Sequence, residues 1–456
     1  MTYSHLSRIL RTISILLFQL SIISSAWLLS ATNVPFMVIF VSIIVLAYII
    51  NSMSDIFQRD TVKSKTTDVS LLFFFMFVVY TFIQAYNVRE VRIRMDTYSL
   101  VEKHFHFNFL PSSILDNFLN FNALSYACVF LGLYCFLALS LKFFRYKKIR
   151  DVSLSIFSVN ALIMGIFALW QKQHYSIMFN TYFSTGDFFG TFFLSNACGA
   201  YLTIATSIFL TYTLDFNRIT PSIIFLKILS LICAITTSYC VYKTNSMGAI
   251  LCCAIVICVL LYSSLYFYWK KTAISLLIIT AIAFGATMSH FHLVDKVEDF
   301  VKSNSELKEA ATLNGRIPIL RESFLLFKKF PTFGSGFSAF EVETNRNKYV
   351  GDNLINLKGY VNLNNPHSSP IHFLVSCGIV GSSILLIAFI LLCYKIVIHP
   401  RRYSLKNILF FESAIICFLY SFLDMHLSAI PVTMMAFLML LVAGRTKIRK
   451  FYYEDF

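Results

Sequence analysis

Apolar runs about as long as a bilayer is thick recur along this chain, and they limit what it can fold into more than any other feature. Roughly 20 residues of α-helix cross the ~30 Å hydrocarbon layer, and only a helix or a closed barrel pairs every backbone N–H and C=O there. The runs fall near 12–30, 35–52, 69–87, 124–144, 153–171, 189–213, 222–241, 248–268, 272–293, 370–394, 407–423 and 428–444. Hydrophobic residues make up 57% of the 456 and charged ones 13%, with a mean hydropathy of +0.70. A soluble globule with that surface would aggregate. The expected fold is all-α, a polytopic integral membrane protein of about 12 transmembrane helices. Residues 1–293 hold the first nine, 294–369 a long loop with an amphipathic helix, and 370–456 the last three and a tail.

Lysine and arginine collect in every second connection. They are Arg8 and Arg11; Arg59, Lys63 and Lys65; Arg145, Lys147, Lys148 and Arg150; Arg218; Lys270 and Lys271; Arg401, Arg402 and Lys406; and Arg445, Lys447, Arg449 and Lys450. The positive-inside asymmetry then places both termini in the cytoplasm. It also accounts for most of the +15 net charge, which therefore implies no nucleic-acid partner. No small-residue cleavage site follows the first run, so it is expected to be a retained span and not a signal peptide. All eleven cysteines lie in or beside apolar runs, where thiols behave as small hydrophobes. No Cys or His spacing suggests a metal, and no cofactor is expected.

The same alternation puts 88–123, 172–188, 242–247, 294–369 and 424–427 on the outer side. These segments pool Arg89, Arg92, Arg94, Lys172, His174, Asp187, Lys243, Arg316, Arg321, His367, His372, Asp424 and His426. Guanidinium forks beside a membrane suit phosphate oxygens; the plainer reading is solvated charge meeting lipid headgroups.

The 294–369 loop is long for a connection, which points to function or disorder. Within it, Asn314 to Phe330 starts on a capping amide, allows Pro318 in its first turn, repeats apolar residues at helical spacing and ends before Pro331. The expectation is an amphipathic helix on the membrane–water boundary. Arg316 sits in its first turn, where free N–H groups and the dipole favour an anion. Arg321 lies five residues on, about 140° around the helix, so the two cannot share one ligand. Gly334-Ser335-Gly336 then makes a turn that permits close backbone approach, or simply joins helix to loop. Residues 341–364 are polar with no legible fold.

Next come Pro366-His367-Ser368-Ser369, at the lip of the apolar run that contains Gly378 and Gly381. With an ordinary pKa of about 6.5, an imidazole there can take or give a proton; alone it is as well explained as a cap. Ser368 could bond the imidazole or cap the helix. His372 reads as packing, and Gly378 and Gly381 as close helix contacts. Asp424 and His426, in a short outer turn, could orient a base or bind acceptor, or form a satisfied turn.

At this point the chain resembles the bacterial O-antigen ligase and polymerase superfamily of polytopic, lipid-linked glycan transferases. Its signature is histidine, then Ser, Asn or Gln, nine variable positions, glycine, two variable positions, and Gly, Thr or Tyr; His367-Ser368, residues 369–377, Gly378 and Gly381 match it position for position. Gly315-Arg316-Ile317 and Pro331 to Gly336 are similar to the family's Gly-Arg helix and Pro-x-x-Gly-x-Gly turn. Gly190 to Ala197 resembles a Gly-Thr-Phe segment ending in asparagine. Thr244 to Ala249 resembles a Ser-Arg-Gly segment, with Met247 where arginine is usual and Asp187 where another arginine is common.

The resemblance implies an enzyme of the bacterial inner membrane that moves a glycan from undecaprenyl diphosphate to an acceptor hydroxyl on the periplasmic face. The donor is then the carrier-linked glycan, the acceptor another glycan or lipid A core, and the surroundings membrane lipids. His367 is implied as general base and Arg316 as partner of the leaving diphosphate. Arg321, Ser368, Gly334, Gly336, Arg89, Lys243 and His426 are substrate-binding candidates. A polymerase or a protein O-oligosaccharyltransferase would use the same chemistry. A transporter would bury ionisable groups near the midplane, where only Lys227 stands out.

Overall fold

The structure is a computed structural model that describes residues 3–28, 34–57, 68–94, 99–116, 122–173, 190–192, 194–215, 220–268, 313–337, 339–346, 366–397, 405–424, 427 and 429–444. Thirteen helices are described: α1 (Tyr3–Trp27), α2 (Val34–Phe57), α3 (Val69–Tyr86), α4 (Ala123–Phe143), α5 (Lys147–Gln173), α6 (Ser195–Leu214), α7 (Pro221–Lys243), α8 (Met247–Tyr268), α9 (Leu313–Lys329), α10 (Ala339–Arg346), α11 (Ser369–Val397), α12 (Leu405–Tyr420) and α13 (Ile430–Ala443). Among the described residues nine helices, α1 to α8 and α11, are long and apolar enough to cross a membrane. The expected runs at 407–423 and 428–444 are the shorter α12 and α13, of 16 and 14 residues. The run at 272–293 lies outside the described residues. The all-α polytopic reading stands.

Burial sorts the helices. Apolar α13 is buried almost end to end against α4, α6 and α12, at the centre of the bundle. Long α7 buries Ala234, Thr237, Cys240 and Val241 and leaves much of its apolar surface exposed. The core is aromatic, with Phe18 stacked on Phe136 at 5.1 Å and Phe77 edge-on to Phe130 at 5.0 Å. Such pairs add ~1 kcal/mol beyond the area they bury. All eleven cysteines are free thiols in these helices. Lys227 does not sit at mid-bilayer: it lies in the second turn of α7 and donates its Nζ to the Asp215 carbonyl just past α6, a lysine reaching for the helix end.

Between α3 and α4 the chain builds a small sheet of order β2-β1-β3: β1 (Val88–Arg94), β2 (Ser99–Lys103) and β3 (Ser113–Asp116). β1 pairs antiparallel with β2, Glu90 opposite Lys103, and parallel with β3, Val88 opposite Ser113. The β-branched Val88, Val91 and Ile93 suit the pleat. Alternating arginines keep this run off the scale of apolar spans.

The loop helix α9 forms one residue earlier than expected, so Asn314 is inside it and Pro318 falls in its second turn. It buries Ile319, Ser323 and Leu326 and leaves Leu320, Phe324 and Leu325 exposed, the expected amphipathic division. Burial pushes the Glu322 carboxyl up from its ordinary range, with Arg321 beside it pulling the other way. Ile319 and Leu326 pack with Phe340 of α10 and Val375 of α11, which ties the loop to the membrane helix behind it.

Candidate active site

The site is assembled on a helix that breaks. α11 runs from Ser369 to Val397, but at Gly378 the backbone adopts φ 62°, ψ −165°, a region open essentially to glycine alone. A break inside a membrane frees carbonyls and N–H groups that lipid cannot satisfy. Here the glycine turn satisfies them: Ser335 N donates to Val375 O (2.9 Å), Gly336 N to Ser376 O (3.0 Å), Ile379 N to Pro331 O (2.8 Å) and Val380 N to Thr332 O (3.1 Å). From α3, the Tyr80 hydroxyl is shared between Phe333 O at 2.7 Å and Cys377 O at 2.8 Å. Gln84 Nε2 donates to Ser376 O at 2.9 Å, and its Oε1 accepts Phe337 N at 3.3 Å.

Turn and break are therefore one object. Gly334, at φ 73°, leaves no room for a side chain, since a Cβ there would come within 2.4 Å of the Ser376 carbonyl. A Cβ on Gly378 would meet the Thr332 oxygen at 2.4 Å. Gly336 lies against Ser112 and Ser113 where β3 begins, so the turn is wedged between α11, α3 and the sheet. Gly378, read from spacing as a helix contact, is a backbone break; Gly381 is the close contact, against Tyr80.

His367 stands at the open end of α11, exposed, with φ 51°. A non-glycine residue at positive φ is uncommon and costs about 1 kcal/mol, so its neighbours must hold it there. Pro366 before it and Ser368 after it are buried. Among the described residues the Ser368 hydroxyl has no hydrogen-bond partner, and Ser368 O accepts His372 N at 2.9 Å. Ser369 N donates to Ser421 O at 3.0 Å and its hydroxyl to Asp424 O at 3.3 Å, fastening the lip to the turn after α12. Asp424 is itself buried; Asn196 Nδ2 donates to its Oδ2 at 2.5 Å and the Tyr420 hydroxyl lies 3.4 Å away. Tyr420 in turn lies where a side chain on Gly248 would be, at 2.7 Å. The Gly190–Ala197 and Thr244–Ala249 segments thus converge with the His367 lip on one turn. His372 packs among Tyr126, Phe337 and Phe373.

The remaining candidates scatter. Arg316 is the fourth residue of α9, and its side chain lies outside the described residues, as do His426 and Asp187. Arg321 is exposed on α9. Arg89 Nη2 donates to Glu343 Oε1 at 3.1 Å, its guanidinium 4.4 Å from the Phe330 ring centre, while Lys329 Nζ donates to Glu343 Oε2 at 2.9 Å. Lys243 rests over Tyr239 and Tyr242 of its own helix. Met247, at the usual arginine position, is exposed. Sequence reading passed over Tyr80, Gln84 and Tyr420, and met Asn196 only as the asparagine that ends the Gly190–Ala197 segment. A glutamine in the apolar run at 69–87 was the available signal, because a polar group in a span seeks a protein partner.

No curated protein matches this chain. Residues 232–386 match the family model described as O-antigen ligase. That stretch begins in α7 and ends within α11, and it contains Gly315-Arg316, the turn at 331–337 and the whole run from His367 to Gly381. Over residues 232–386, its motif-bearing part, this polytopic membrane protein is similar to the O-antigen ligase family.

Proposed function

We propose that this chain is a ligase-type glycosyltransferase that moves a glycan from undecaprenyl diphosphate to a hydroxyl of lipid A core, at the periplasmic face of the bacterial inner membrane. The observation that carries the reading is the glycine-for-glycine lock between the turn at 331–337 and the α11 break, which joins the helix bearing Arg316 to the helix whose lip bears His367. In the proposed reaction the His367 imidazole removes the acceptor proton as that oxygen attacks the anomeric carbon, a contribution of about 10² to 10⁴ in rate. The carbon–oxygen bond to the diphosphate breaks, and the charge that grows on the leaving group is met by Arg316 in the first turn of α9. One displacement inverts the anomeric centre. Ser368, whose buried hydroxyl has no partner among the described residues, is assigned to the acceptor. A polymerase would use the same steps on another carrier-linked glycan. The transport alternative loses support because Lys227 lies near a helix end.

Normally inserted His367→Ala and Arg316→Ala proteins should each fail to transfer glycan in membranes; full transfer by both would reject the assignment. The acceptor is read from the lipopolysaccharide of a deletion strain. Core free of O-antigen is the ligase outcome, whereas core carrying a single repeat would mean a polymerase.

A further inference from the structure

The loop from His104 to Pro111, between β2 and β3, belongs neither to a span nor to the candidate site. Its sequence alternates as His-Phe-His-Phe-Asn-Phe. Phe105, Phe107 and Phe109 are 88%, 49% and 71% exposed, yet their rings touch in series at 5.4 and 5.6 Å. Together they present about 400 Å² of apolar surface, as large as the biggest patch on many soluble proteins.

Topology sets the level of this loop. β1 leaves the end of α3 and moves away from the bundle, and β2 returns antiparallel, so the chain after Lys103 is back beside Arg89. There His104 N donates to Arg89 O at 3.2 Å. β3 then starts opposite Val88, again next to α3. Asn87, which caps α3, holds the loop in place: its Nδ2 donates to Phe107 O at 3.0 Å and Pro111 O at 3.1 Å, and its Oδ1 accepts Phe107 N at 2.9 Å. Ser113 N closes the anchor on Asn87 O at 3.1 Å. The preceding residue, Tyr86, is 76% exposed at the end of the span, where an amphipathic ring marks the membrane–water boundary. Exposed apolar rings are thus fixed beside the end of the α3 span.

We propose that Phe105, Phe107 and Phe109 form a finger inserted into the membrane this chain spans, seating the sheet on the lipid surface, with Lys103, His104 and His106 donating to headgroup phosphates. Lipid is the occupant argued for because the finger hangs from the cap of a membrane helix, and because Lys103, His104, His106 and Asn108 outnumber the single nearby carboxylate, Glu102, which lies 3.9 Å from His104 Nε2. The finger holds β1, and through Arg89 and Glu343 it steadies α10 beside the candidate site.

Tryptophan quenching tests this on the full-length protein in phosphatidylethanolamine–phosphatidylglycerol vesicles whose acyl chains are brominated near the headgroup. The emission that Phe105→Trp or Phe109→Trp adds to the native tryptophan background should fall at least about twofold in brominated relative to plain vesicles. Glu102→Trp, one step up β2, should change much less. Emission quenched by aqueous iodide and untouched by bromine would overturn the proposal. So would a signal that responds to added soluble glycan and not to lipid, which would make the rings a sugar platform, or one that depends on protein density, which would make them a contact between copies. Because the rings are exposed, replacing all three by serine should leave the melting temperature in detergent unchanged, and a large drop there would also overturn the assignment.

Discussion

His367 combines two properties that rarely meet: an exposed imidazole and a backbone at φ 51°. Asparagine tolerates that conformation better than most residues, so His367→Asn separates chemistry from fold. Its unfolding in detergent should stay within about 0.5 kcal/mol of wild type, while glycan transfer falls by about 10² to 10⁴. At Gly378 fold and chemistry should fail together. Gly378→Ala puts a methyl against the Thr332 carbonyl in a backbone region that alanine avoids, and it should cost at least about 3 kcal/mol in a detergent melt, with loss of transfer. Spacing alone picked out both positions. It could not say that Gly378 breaks its helix, because a glycine kept for a positive φ and one kept for helix contact look alike in a sequence.

Among the elements, the sheet and α10 are joined by Arg89 and Glu343, the latter carrying Lys329 as well. Glu343 is almost fully buried, so Glu343→Leu alone strands the Arg89 charge and should cost about 3–5 kcal/mol, whereas pairing it with Arg89→Leu should recover most of that. The double variant also decides what Arg89 does. Stability regained without transfer identifies a substrate contact, and both regained identifies a structural tie. The amphipathic pattern of α9 was legible because apolar residues at helical spacing need no partner to be recognised. The sheet was not, since its alternating arginines resemble solvated loop charge until β2 and β3 supply hydrogen-bond partners on either side of β1.

For the molecule as a whole, the sidedness of the membrane rests on lysine and arginine in alternate connections. Single cysteines placed at the exposed positions 102, 328 and 367 in a cysteine-free background should react with a membrane-impermeant maleimide from the periplasm, and one at 146 only after permeabilisation. Labelling in the reverse pattern would remove the proposed reaction, whose lipid donor is presented outside. Most ends of the described spans lie within one turn of the apolar runs, yet α12 and α13 came out shorter than their runs suggest. Hydropathy measures avoidance of water, and a helix wrapped by protein, like α13, avoids it as well as one facing lipid.

The sequence by itself determined that this is an α-helical membrane protein, where most of its described spans lie, and where a histidine, an arginine and five glycines stand at the spacing of the resembled motifs. Those properties live in composition and in periods of a few residues, so they survive without a fold. Only the tertiary structure decided that the turn at 331–337 and the break at Gly378 close on each other. It alone brought Asn196, Tyr420 and Asp424 to the lip of His367, and hung the loop of three phenylalanines from the Asn87 cap of α3. Each of these joins backbone or side chains from distant parts of the chain through hydrogen bonds a few ångströms long, and no local pattern records which carbonyl a freed N–H will find.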